Sequence, residues 1–119
     1  MKTSKSQFKL FKKYALDWIV EFGLSDWYVD IVHVSLDDTT IANCALGYNS
    51  QTATISFNTD NCLEVMDNNL IHEVALHEVL ELLLADLGSL VEARDYSETH
   101  YERATHKIIN RLSKVLLKS

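Results

Sequence analysis

The chain has 119 residues, 47% of them hydrophobic and 24% charged, with a net charge of −6. That length supports one domain, residues 1–119, with its own core, and the composition excludes a disordered chain or a disulfide-stapled miniprotein. No apolar run approaches the roughly 18 residues that cross a bilayer, and the acidic balance argues against general nucleic-acid binding, so neither membrane nor nucleic acid is an expected partner.

The charge is unevenly placed. Residues 1–20 hold five lysines and one acid, residues 60–102 eleven acids and one base (Arg94), and residues 103–119 five bases and no acid. Acids early and bases late in a final helix would complement its dipole.

Ser6 reads as the N-cap of a first helix. Phe8, Phe11, Ala15, Trp18 and Phe22 recur at three- and four-residue spacing, and Gly23 closes the element. Trp27–Leu36 alternates and is rich in β-branched and aromatic residues, which predicts a strand. A "DDTT" turn follows, then two more strands, "IANCALGYN" and "QTATISFN", joined around Asn49 and Ser50. "TDNCLEVMDNN" reads as a loop with one helical turn. A long helix is predicted from about Asn69 to Leu87, ending near Gly88. A last helix starts near Asp95, with Asp95-Tyr96-Ser97-Glu98 as a start resembling a capping box, and runs to about Leu117.

The N-terminus lacks the apolar run and small-residue cleavage site of a secretory signal. Cys44 and Cys62 are too far apart for a CxxC motif and read as buried small hydrophobes in a reducing cytoplasm, the expected location.

The chemistry concentrates in "EVALHEVLELLLADL". On a helical wheel Glu73, His77 and Glu81 fall on one stripe at i, i+4 and i+8, with Glu78 at its edge and leucines on the flanks. This pattern is either a solvent-facing stripe or the polar floor of a cleft. Ionised carboxylates among leucines need pairing, solvent or metal. His77 and Glu81 can meet one ion, because imidazole and carboxylate both ligate zinc. His72 is offset from His77 by about 140° around the helix and reads as a surface residue.

On the last helix Glu98, Glu102 and His106 form a second stripe beside an apolar face of Tyr101, Thr105, Ile108, Leu112, Val115 and Leu116. The two stripes could converge on a metal, or His106 could be half of an ordinary helical pair. His33 and His100 stand alone and read as structural. A helical di-iron site would need Glu-x-x-His pairs on four helices, which "HEVLE" and the strand-rich middle do not provide.

His77-Glu78-Val79-Leu80-Glu81 resembles the zinc-peptidase motif HExxH with a glutamate in place of the second histidine. With "CALGYNSQTATISFN" before it and "YERATHKIINRLSKVLL" after it, the chain resembles the small zinc metallopeptidases of phages and prophages, which are similar to SprT-like and other minimal zincin domains. The resemblance covers roughly residues 15–117. It implies an α+β zincin-like fold: an N-terminal helix, a three-stranded sheet, a central motif helix and a C-terminal helix. It implies His77 as first ligand and Glu78 as general base. Glu81 falls on the second ligand and Thr105 on the acidic third ligand, both departures, while Glu102 and His106 remain nearby. The implied cofactor is zinc and the implied reaction peptide hydrolysis, with water activated by Glu78. Two functions follow: a metal-dependent peptidase with altered ligands, or a non-catalytic binding module that engages a host protein in the bacterial cytoplasm. In both, the partner is a peptide or protein, and "TATISFN" is the strand expected near His77, offering an edge to an extended peptide.

Overall fold

The computed structural model describes residues 2–60, 66–93 and 97–117, the side chains of 91–93 aside. The order is α1 (Lys5–Glu21), β1 (Tyr28–Val34), β2 (Ala42–Gly47), β3 (Thr52–Asn58), α2 (Asn68–Leu83), α3 (Ala85–Ala93) and α4 (Glu98–Leu117). Among the described residues the protein is therefore an α+β domain with a three-stranded mixed sheet and four helices. One helix more than the sequence predicts is present, because the long helix breaks at Leu84. Residues 61–65, the middle of the "TDNCLEVMDNN" loop expectation, and the Asp95-Tyr96 half of the predicted cap lie outside the described residues.

Helix α1 is capped by Ser4, not Ser6. The Ser4 hydroxyl accepts from the Gln7 N–H and the Gln7 side chain accepts from the Ser4 N–H, a reciprocal pair that satisfies two otherwise orphaned donors. Gly23 ends the helix as predicted, with φ 67, a conformation glycine adopts without Cβ strain. Ser97 caps α4 by accepting from the His100 N–H at 3.2 Å.

The strand order is β1-β3-β2. β1 runs parallel to β3, and β2 runs antiparallel to it. β3 is thus the central strand and its backbone is paired on both sides, which corrects the expectation that "TATISFN" offers a free edge. The edge beside α2 is β2. Register places Ile31 opposite Ile55 and Cys44 opposite Ile55, so one sheet face carries Ile31, Ile55, Phe57, Ala42, Cys44 and Leu46. Helices α1 and α2 pack together over that face, joining Phe11, Ala15, Ile19, Ile71, Ala75, Val79 and Leu82 to Ile55 and Phe57 in one core. Each large apolar side chain buried there stabilises the fold by roughly 1.5–3 kcal/mol.

His72 is not a free surface residue. Its Nε2 accepts from the Trp18 indole at 2.8 Å and its ring stacks on Tyr14, so it ties α2 to α1. His33 is structural, as expected: it stacks on Phe8 and shares a 2.6 Å hydrogen bond with Thr3. Gly88 does not end a helix. It lies within α3 against Tyr48, where a Cβ would stand 2.7 Å from the tyrosine oxygen.

Candidate functional site

The stripe on α2 divides in two. Glu73, His77 and Glu81 are exposed, whereas Glu78 is only 5% exposed. A single 100° step decides this, because it turns Glu78 from the outer face toward β2. The sequence alternatives of solvent-facing stripe and cleft floor are therefore both realised, by different residues.

Glu78 lines a groove of about 470 Å³. One wall is the turn and first residues leading into β2, Thr39 to Ala42, and the other is α2, through Leu70, Glu73, Val74 and His77. A second groove of about 490 Å³ lies farther along β2, between Cys44, Leu46 and Tyr48 on one side and Glu81, Leu84 and Leu87 on the other. Strand alternation explains the arrangement. Ala42, Cys44 and Leu46 all point to the helix side, but β2 is an edge strand, so they are only half covered.

The Oε2 atom of Glu78 is buried and has no hydrogen-bond partner among the described residues. Leaving such an acceptor unsatisfied costs about 1–3 kcal/mol. Burial first, and then the neighbouring Glu81 carboxylate, push the Glu78 carboxyl up to about 7, while His77 pulls the other way. At neutral pH this side chain can therefore both donate and accept. The same carboxylates act on Cys44: burial, then Glu78 and Glu81, raise its thiol to about 12, so it is an inert half-buried side chain, as the sequence predicts. Cys62 lies outside the described residues.

His77 and Glu81 come together, with Nε2 and Oε1 3.6 Å apart. Glu102 and His106 do not join them. Helix α4 packs on α3 and buries Ala104 and Ile108. Glu102 and His106 lie about 160° from Ala104 around the helix and are exposed. Thr105, the position matched to a third ligand, turns its hydroxyl back to donate to the Tyr101 carbonyl at 2.8 Å. Among the described residues no group of three or more His, Cys, Asp or Glu side chains could hold a metal ion. The donor set of His77 and Glu81 alone does not fit a zinc site with three protein ligands.

Sequence reasoning missed the opposite wall. Asp37 accepts from the Thr39 N–H and hydroxyl at 3.0 and 2.8 Å, a local turn that the "DDTT" pattern signals. Asn58, at the end of β3, then clasps this loop. Its Oδ1 accepts from the Leu36 and Asp60 N–H groups, and its Nδ2 donates to the Asp37 and Thr40 carbonyls at 2.9 and 2.7 Å. No sequence signal marks Asn58 for that task.

No family model, curated protein or solved structure matches this chain. No helix among the described residues is long and apolar enough to cross a membrane.

Proposed function

We propose that the protein is a zincin-like peptide-binding module in which the zinc site has been lost and the substrate groove kept. The observation that carries this reading is the pair of grooves between the edge strand β2 and the motif helix α2, with Glu78 buried at the first of them. An extended segment laid along β2 would extend the sheet through main-chain hydrogen bonds, and its alternate side chains would enter the two grooves. Glu78, buried at the groove with one oxygen lacking a partner among the described residues, would meet a polar group of that segment. The zincin-like identity rests on the motif resemblance together with the order helix, sheet, motif helix and the edge strand beside it. A phage chain acting on a host protein in the bacterial cytoplasm is the setting that the resemblance suggests.

A peptidase with altered ligands is the second reading, and one observation favours it: Glu78, the residue matched to the general base, faces the groove rather than solvent. A single experiment separates the two. Protein purified without chelator is assayed for bound metal and incubated with a quenched-fluorescent peptide library, with and without added zinc. The binding module retains peptides uncut and shows no zinc-dependent hydrolysis. Stoichiometric zinc, with cleavage that disappears in Glu78→Gln, would overturn it in favour of the enzyme.

A further inference from the structure

The groove over Glu78 has a chemical character that points to one kind of side chain. Its walls are apolar along Leu70, Val74 and Ile41, and its carboxylates are Glu73 and Glu78. The neighbouring groove adds Glu81, and among the described residues neither groove is lined by a lysine or arginine. His77, the one cationic candidate among the described lining residues, is already beside Glu81 at 3.6 Å. An acidic cluster alone would be an ordinary solvated face. The difference here is Glu78, which is 5% exposed, lines the groove and has an oxygen, Oε2, with no hydrogen-bond partner among the described residues.

A buried carboxylate is best satisfied by a cation that also donates hydrogen bonds. A lysine side chain meets both demands of this groove. Its ammonium is a compact donor for two carboxylates, and its four methylenes lie along an apolar wall while the charged end reaches past it. We propose that the Glu78 groove receives a lysine side chain of the bound peptide, its ammonium meeting Glu78 and Glu73 and its stem packing on Leu70, Val74 and Ile41. This rests on the peptide-binding reading and adds the substrate class to it.

The test uses the full chain, immobilised, and a library of randomised heptapeptides. These are N-acetylated and C-amidated, so a lysine side chain is the only primary ammonium in them. Retained peptides are sequenced. Lysine should be enriched at one position by at least about tenfold over leucine and methionine, the scale of a single charge-assisted hydrogen bond. The enrichment should fall in Glu78→Gln. Because that variant alters a buried residue, Glu73→Gln, at an exposed position, is measured beside it, and both are checked for native circular dichroism. Loss of enrichment in either folded variant supports the proposal, and persistence in every folded variant overturns it. Retention of peptides with no lysine preference removes the lysine site and leaves the peptide-binding reading standing. Retention of no peptide at all removes both.

Discussion

His77 and Glu81 show how one residue separates a metal clasp from a helical pair. At i, i+4 they are 3.6 Å apart, close enough to share an ion, yet both are exposed and no third ligand joins them among the described residues. Restoring Thr105 to an acid would put the new carboxylate on α4, whose neighbour is α3, so it is not the way to rebuild the site. Glu81→His alone is the better probe. Two imidazoles at i, i+4 suit zinc better than an imidazole and a carboxylate, so this variant should bind Zn²⁺ more tightly than the native chain, on the order of tenfold, without gaining hydrolysis. Titration calorimetry measures the change. Equal zinc affinity in the two proteins would mean that His77 and Glu81 do not act as a clasp.

At the scale of elements, the groove depends on a loop that is held from below. Asn58 is 1% exposed and its side chain makes four hydrogen bonds to the chain between Leu36 and Asp60, fixing Thr39 and Thr40 opposite α2. Asn58→Ala leaves two backbone N–H groups and two carbonyls without these partners. The expected cost is about 2–4 kcal/mol in urea denaturation, because buried groups left unpaired pay their full desolvation. A loss under about 1 kcal/mol would show that water takes over the clasp. The break at Leu84 has a related consequence. It sets α3 where Gly88 meets Tyr48, which closes the far end of the second groove.

For the molecule as a whole, the buried acid sets a pH dependence. The folded chain raises the Glu78 carboxyl from 4.5 to about 7, so folding favours its protonated form. Its contribution is fully present below about pH 4.5 and is lost as the pH rises through 7. His33 works in the opposite direction: burial lowers its pKa, so its contribution is lost as the pH falls below 6.5. Comparing native protein with Glu78→Gln isolates the first effect. The variant should gain on the native chain between pH 5 and pH 8 by on the order of 1–2 kcal/mol, allowing for partial solvation in the groove. Denaturation curves at the two pH values give the difference, and parallel behaviour of the two proteins would place Glu78 in contact with solvent. The charged ends of α4 follow the dipole pattern read from the sequence, with Glu98 in the first turn and Lys114 in the last. What anchors α4 is more specific: Ile108 enters the core, and Arg111 reaches Asp26 and Asp86.

The sequence by itself determined the kinds of element and their order through the sheet, because helical and strand periodicities are local properties of the chain. The α1 stripe, the three strands, the motif helix and the dipole pattern of α4 were all legible in this way. So was the pairing of His77 with Glu81, which needs only the pitch of one helix. Tertiary structure decided the rest. Which strand became the edge depended on pairing partners distant in sequence, so β2 and not β3 borders the groove. Which glutamate was buried depended on the rotation of α2 against β2, a phase that no local pattern encodes when both flanks are rich in leucine. Whether Glu102 and His106 could reach the motif depended on which neighbour α4 chose, and it packs on α3.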